Sequence, residues 1–365
     1  MKKLFLVLVG LLLICACAHE QNDATGNLLP VPKSIQQGNG FFTVTKGTGL
    51  CISAPENDRN AVTRLLGAWE DMLSVTEKPA DANCIAMEIC EKVDGISSPE
   101  GYAIEVTEDG IKAKATSGAG LFYAAQTLLQ LADGGNRIPV CSITDEPQFG
   151  YRGMMLDVSR HFFDKEFIKK QIDAIAHFKM NRLHLHLTDA AGWRIEIKKY
   201  PRLTQFAAWR SKALWKEWWF GDRLYAEEGS PEAHGGYYTQ DDIRELVKYA
   251  ADRYVTIIPE IEMPAHSEEV LTAYPELSCT HEPYKQADFC VGNEQTYEFL
   301  ENVLTEVMEL FPSEYIHIGG DEAGKASWHT CPLCRKRMEE EGLQDVNELQ
   351  SYLIHRIEKF VNSKG

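Results

Sequence analysis

The sequence lacks any excess of basic charge: 37 lysines and arginines face 54 aspartates and glutamates, a formal net charge of -17. Binding a phosphate backbone requires clustered cations, so this balance excludes a nucleic-acid partner and favours a neutral or cationic substrate. Membrane-spanning length is also lacking, because the apolar run from Leu4 to Ile14 is too short to cross a bilayer as a helix. Disordered or fibrous composition is absent as well, since 44% hydrophobic and 25% charged residues are ordinary for globular domains. Cys331-Pro-Leu-Cys334 has the spacing of half a zinc site, but no second Cys or His pair follows it. It reads as a tight disulfide or as free thiols in a loop, with a metal site as the lesser alternative; no metal or cofactor is expected.

At 365 residues the chain has room for about two domains. Met1-Lys2-Lys3, the apolar run and Cys15-Ala16-Cys17 have the layout of an export signal over residues 1–17. Ile14-Cys15-Ala16-Cys17 resembles a bacterial lipobox, with Cys17 as the lipidated residue; a simple secretory signal cleaved nearby is the alternative. The expectation is an exported protein, periplasmic or anchored to the outer membrane of a Gram-negative bacterium, touching a membrane only through that lipid. Export makes the other eight cysteines potential disulfide partners, and Cys279 and Cys290, which bracket a polar loop, are expected to form a local bridge.

After a linker at 18–26, residues 27–145 read as one α+β unit. Phe41 to Thr45 and Tyr102 to Val106 alternate like half-buried strands, Asp109-Gly110 is a hairpin turn into Ile111 to Ala115, and Ala119 to Leu131 carries an apolar helical face. No polar constellation there points to catalysis, so its role is structural. From 146 to 365 the pattern changes to strand and helix in alternation, which predicts βα units and a parallel sheet. The predicted strands are Gly153 to Leu156, Arg182 to Leu187, Val255 to Ile261 and Tyr315 to Ile318.

Each of these strands ends in polar groups. Asp157 and Arg160 follow the first, Asp189 the second, Glu262 and His266 the third, and Asp321 and Glu322 the fourth. In a (β/α)8 barrel the C-terminal strand ends form one face, and several of them contribute catalytic groups. His317-Ile-Gly-Gly-Asp321-Glu322 is the most informative stretch, because Gly319 and Gly320 clear space for a ligand or a sharp turn directly before two adjacent carboxylates. A solvated acidic turn, or acids that merely cap helices, is the bland alternative.

Four ordered segments carry a resemblance: Arg152 to Phe163, His184-Leu-His-Leu-Thr-Asp189 with Gly192-Trp193-Arg194, Pro259 to His266, and His317 to Glu322. Together they resemble the successive barrel motifs of the β-N-acetylhexosaminidases of glycoside hydrolase family twenty. The first unit, with Leu29-Pro-Val-Pro32 and Gly118 to Leu131, resembles the non-catalytic domain that precedes the barrel in that family. The resemblance implies an exo-acting, retaining hydrolase that releases terminal β-linked N-acetylglucosamine or N-acetylgalactosamine from oligosaccharides or glycoconjugates. It also implies that the substrate's own 2-acetamido oxygen is the nucleophile and forms an oxazolinium intermediate.

By the same resemblance Glu322 is the general acid/base and Asp321 orients the acetamide, with Asp189 and His266 in support. Arg160 would hold the 3- and 4-hydroxyls, although it could equally pair with Asp157. Glu262, His317 and Trp193 complete the expected substrate contacts, although Trp193 could instead pack in the long second loop. Trp215, Trp218 and Trp219 could stack on sugars or pack in the long second loop. Ala190-Ala191 departs from the more polar residues common in the family at that point. A glycan-binding remnant of the same fold, without catalysis, is the alternative function, and a barrel hydrolase with a two-carboxylate or metal mechanism is a third.

Only about four βα units can be counted from Gln148 to Gly365, against eight for a closed barrel. The resemblance places the aromatic walls around the acetamide, and the tyrosine that positions its oxygen, on later strands that are not in this sequence. The expectation is a C-terminally truncated barrel with unpaired parallel edges and an open apolar face. Expressed alone, the 365-residue chain should therefore be poorly soluble and nearly inactive on an aryl N-acetyl-β-glucosaminide; clear turnover by the soluble, purified chain would contradict this.

Overall fold

The computed structural model describes residues 26 and 28–365, so the export signal, Cys17 and the linker lie outside the described residues except for Gly26. The chain divides into two compact units, one ending at Gln148 and the other beginning at Phe149.

The first unit is a seven-stranded mixed sheet with helices packed on it. Its strands are β1 (Ser34–Thr43), β2 (Thr48–Ser53), β3 (Leu73–Val75), β4 (Cys84–Ile89), β5 (Tyr102–Val106), β6 (Gly110–Ala115) and β7 (Arg137–Asp145). They lie in the order β1-β7-β5-β6-β4-β2-β3, antiparallel from β1 to β6 and parallel from there to β3. The expected hairpin is present: β5 pairs antiparallel with β6, and Thr107 N–H donates to the Gly110 carbonyl at 2.9 Å. Two helices, α1 (Glu56–Leu65) and α2 (Gly118–Ala132), pack against each other. Ser117 caps α2 by accepting from Gly120 N–H, and the predicted apolar face of Leu121, Ala124, Ala125, Leu128 and Leu131 is buried.

The second unit is built around parallel strands β8 (Gly153–Asp157) and β9 (Arg182–His186). Between β8 and β9 runs α3 (Lys165–His177), capped by Asp164 and burying Ile168, Ile172, Ile175 and Ala176. That spacing of four, three and one residues forms a stripe along one helix face, and each buried isoleucine contributes about 1.5–3 kcal/mol. After β9 a long segment folds into two small ribbons, β10 (Thr188–Asp189) with β11 (Gly192–Trp193) and β12 (Trp209–Arg210) with β13 (His234–Gly235). Helix α4 (Gln240–Ala251), opened by a capping box between Thr239 and Asp242, then leads into β14 (Thr256–Glu260).

The order β14-β9-β8 puts successive strands side by side, in a register that aligns Asp157, His186 and Glu260 across their C-terminal ends. This alignment is what positions the site. After β14, α5 (Glu294–Leu310) is capped by Asn293 and buries Leu300, Val303, Leu304 and Val307, with Met308 half-buried beside them.

The fourth predicted strand is reduced to a single bridge. His317 N–H donates to the Pro259 carbonyl and Ile261 N–H to the His317 carbonyl, both at 3.0 Å. Tyr315 is 54% exposed rather than buried, because this segment has a neighbour on one edge only among the described residues. Two helices, α6 (Pro332–Glu341) and α7 (Val346–Asn362), follow beyond the predicted alternation, and α7 buries Leu349, Leu353 and Ile357.

Candidate active site

Strand alternation and register assemble the site. His184 and His186 are two residues apart on β9 and so face the same side, as do Glu260 and Glu262 beyond it. Glu260 sits beside His186 in the ladder and is the common acceptor of three imidazoles. Its carboxylate lies 2.8 Å from His184 Nε2, 2.5 Å from His186 Nδ1 and 2.7 Å from His317 Nδ1. The His184 and His317 rings stack with centroids 4.9 Å apart. Burial works against ionisation of Glu260, but the three histidines override it and hold its carboxyl far below the usual range.

Asp189, at the tip of β10, is the second anchor. Its Oδ2 accepts from Arg160 Nη2 at 2.6 Å, from His186 Nε2 at 3.1 Å and from His266 Nδ1 at 3.3 Å. Burial raises its pKa, but these donors outweigh burial and bring it down to about 2. His186 is thus bracketed by two carboxylates, which overcome its own desolvation and push it up to about 10. As an imidazolium it donates from both ring nitrogens. The 2.9 Å approach of Arg160 Nη1 to His186 Nε2 is therefore a contact between two cations that share Asp189 rather than a hydrogen bond. Arg160 also donates to Asp157 at 3.0 Å, so the pairing foreseen as its alternative role exists, while its side chain stays 36% exposed.

His266 links this anchor to the adjacent acids. Its Nδ1 faces Asp189, while its Nε2 lies 3.3 Å from Glu322 and 3.7 Å from Asp321. The hydrogen bond to Asp189 raises His266 to about 9 against the opposing effect of burial. The Asp321 and Glu322 side chains are 66% and 76% exposed. His266 and Glu322 both take a left-handed backbone, each at φ 51°. Such conformations cost of order 1–3 kcal/mol at a non-glycine residue and collect at functional sites.

Glycine is obligatory at 319 for two reasons. Its φ is 65°, and a Cβ there would come within 1.8 Å of a Glu262 carboxylate oxygen. Glu262 is buried, with Oε2 making no hydrogen bond among the described residues. Burial first, then the neighbouring charges of Glu260 and Asp321, push its carboxyl up to about 8. Two carboxyls one alternation apart thus sit in opposite states, Glu260 ionised and Glu262 neutral.

Several expectations are corrected. Trp193 is 1% exposed and donates from Nε1 to the Ile195 carbonyl at 2.6 Å, so it packs inside the unit and presents no ring to a sugar. Trp218 is fully buried; Trp219 is 36% exposed, with the Arg223 guanidinium 4.0 Å above its ring. Ala190 and Ala191 are buried against Trp218 and Tyr225. Cys279 and Cys290 are not bonded to each other: both thiols are free, and the sulfur of Cys279 lies 3.7 Å from that of Cys334. Chain proximity favoured the local pair, whereas the fold brings a distant helix start onto it.

Two groups escaped the sequence reading. Glu260 is one; His184-x-His186 beside Glu260-x-Glu262 on adjacent strands was the available signal. Arg194 is the other. Fully buried, it donates to the carbonyls of Ser159, Ala191, Ala208 and Gly236 and so ties the long loop to the end of β8. Burial lowers its pKa to about 9. As possible cation sites the unit groups His184, Glu260 and His317; His186, Glu260 and Glu262; and His266, Asp321 and Glu322. In the first set and in the His186–Glu260 pair, the donor atoms are already engaged with one another.

Known proteins carry the same two-part arrangement. Residues 25–146 match glycosyl hydrolase family 20, domain 2, and residues 149–365 match glycosyl hydrolase family 20, catalytic domain. A beta-hexosaminidase of Porphyromonas gingivalis is 38% identical over 97% of this chain and 47% of its own length. The crystal structure of beta-N-acetylhexosaminidase from Bacteroides fragilis superposes with a TM-score of 0.79 at 35% identity, covering 93% of this chain and 65% of that one. The Vibrio harveyi GH20 exo beta-N-acetylglucosaminidase in complex with N-acetylglucosamine also gives 0.79, at 32% identity, over 93% and 53%. The chain spans about half the length of the curated relatives it matches. With both of its units matched in order, and with the fold of solved members, the chain belongs to glycosyl hydrolase family 20.

Proposed function

We propose that the chain carries the acid/base half of an exo-acting, retaining β-N-acetylhexosaminidase that releases terminal N-acetylglucosamine or N-acetylgalactosamine. The observation that carries this reading is the line from Asp189 through His266 to Glu322 and Asp321. Glu322 donates its proton to the leaving glycosidic oxygen and later takes one from water. His266, held cationic by Asp189, adjusts the proton affinity of Glu322 at each stage. Asp321 orients the 2-acetamido group and balances the positive charge that grows on its nitrogen as its oxygen attacks the anomeric carbon. Arg160 presents the remaining donors of its fork to the hydroxyls of the terminal sugar. The complex of the Vibrio harveyi relative with N-acetylglucosamine supports this substrate class.

Glu262 has a distinct part. A carboxyl kept neutral near pH 7 can donate a hydrogen bond where an ionised one cannot, and the close approach of Glu262 to Gly319 supports such a part beside the acid pair. His317 holds Glu260 through Nδ1, and its half-exposed ring is free to contact the sugar as well. The residues 1–17 signal would deliver the enzyme outside the cytoplasm, with Cys17 lipidated, where glycans are encountered.

In the native gene product, Glu322→Gln should lower turnover of an aryl N-acetyl-β-glucosaminide by about 10²–10⁴-fold while binding of N-acetylglucosamine persists. Unchanged turnover would sink the acid/base assignment. A wild-type protein that binds the sugar but never cleaves the glycoside would favour the glycan-binding alternative.

A second prediction concerns stability. Between the ordinary carboxyl value near 4.5 and about 8, Glu262 is protonated when folded and ionised when unfolded, so folding takes up a proton and stability falls as pH rises through that window. Glu262→Gln removes this dependence. The difference in melting temperature, variant minus wild type, should therefore grow from about pH 5 to about pH 8. A constant or shrinking difference would contradict the neutral state of Glu262.

A further inference from the structure

The four cysteines of the second unit converge although they are far apart in sequence. Cys290 Sγ lies 3.6 Å from Cys331 Sγ and 3.8 Å from Cys334 Sγ, and Cys334 Sγ lies 3.7 Å from Cys279 Sγ. All four sulfurs fall within 4.8 Å of one another. Disulfides would pair them off, each sulfur with one neighbour at about 2.0 Å. Instead, Cys290 and Cys334 each have two neighbours at nearly equal distance, which is the pattern of a polyhedron. A tetrahedron of thiolates around zinc, with Zn–S bonds of about 2.3 Å, has edges of about 3.8 Å, so the observed spacings are those of its edges.

We propose that Cys279, Cys290, Cys331 and Cys334 form a structural tetrathiolate site for one zinc ion. The Cys-x-x-Cys pair thus has the partner pair that a zinc site needs, and it lies earlier in the chain instead of following. Closed four-sulfur tetrahedra are typical of structural zinc. Cys290 and Cys334 are fully buried and Cys331 is 6% exposed, which shields the thiolates from oxidants outside the cytoplasm.

The surroundings suit the negative charge of such a centre. Cys331 occupies the N-cap position of α6 and Cys334 lies in its first turn, where the helix dipole and free N–H groups favour thiolate. Gly292 N–H donates to the Cys334 sulfur. Any side chain at 292 would collide with the Leu333–Cys334 backbone, with a Cβ only 2.2 Å from the Leu333 carbonyl carbon. The two cysteine pairs are therefore pressed together by backbone contact and do not meet only at their tips.

The site braces both sides of the acid/base pair. Phe289, next to Cys290, donates N–H to the Pro264 carbonyl at 2.8 Å and so supports the segment leading to His266. Its carbonyl accepts from Trp328 Nε1 at 2.9 Å. The Asp288 carboxylate accepts from Gly324 N–H at 3.3 Å and Lys325 N–H at 3.0 Å, just beyond Glu322. Zinc would lock this segment to α6 and thereby hold His266 and Glu322 in mutual reach.

The test is metal and thiol analysis of the native protein, purified without added metal or reductant. The expected result is about one zinc per chain, an X-ray absorption shell of four sulfurs at about 2.3 Å, and intense visible bands after cobalt replacement. Cys290→Ser with Cys334→Ser should lose the zinc, whereas Cys90→Ser, outside the cluster, should keep it. Removing the ion from the native protein should lower its melting temperature, a readout independent of activity. Protein with no zinc and four of its thiols oxidised in pairs among these cysteines would overturn the proposal, as would four free thiols without metal, or iron in place of zinc.

Discussion

The arrangement depends on a single carboxylate oxygen. Asp189 Oδ2 gathers the guanidinium of Arg160 and the imidazoles of His186 and His266 in a position that is almost closed to solvent. In water such attractions would be weak, but in a buried setting they are not, and losing one partner of a buried charge pair costs about 3–5 kcal/mol. That is a large share of the 5–15 kcal/mol that holds a typical domain together. Asp189 therefore fixes which groups are cations, and the other acids take their states from it. Glu260 is ionised because His184, His186 and His317 all face it, and Glu262 is neutral first because it is buried and then because the charges of Glu260 and Asp321 lie close by.

The same oxygen sets the geometry of the reacting end. His266 and Glu322 both sit in left-handed backbone conformations that would relax if nothing held them. On one side the holding force is the His266 to Asp189 hydrogen bond. On the other it is the loop from Gln286 to Cys290, which is tied to the chain before His266 and to the chain after Glu322. The pair at 321 and 322 remains exposed to solvent, while Asp189, Glu260 and Glu262 around it are buried.

Much of the fold was legible because periodicity and burial share one cause. The apolar spacing of Ala119 to Leu131 marked the buried face of α2, the same spacing recurs in α3 and α5, and Asp164, Thr239 and Asn293 stand where three of the helices of the second unit begin. The Tyr315 to Ile318 run misled because a β-rich composition reports a residue's fit to a sheet and not the presence of neighbours on both edges. At the site, each strand-end acid was visible, but pairings across strands were not. Glu260 needed the register with His186, which only the assembled sheet supplies. Trp193 could be read as a stacking platform or as a packing residue, because an aromatic residue beside a glycine has the same composition in a pocket and in a core. The cysteines were misread for a related reason, since sequence separation says little about which thiols a fold brings together.

The central claim is that Asp189 keeps His266 cationic beside Glu322. It is tested most directly by following the imidazole nitrogens of His266 by NMR across pH in the native protein, with the signal assigned through His266→Gln. The account predicts a midpoint of about 9. A midpoint near the ordinary histidine value of about 6.5 would contradict it, because His266 would then be neutral at slightly alkaline pH and could not be the charge that Asp189 holds against Glu322.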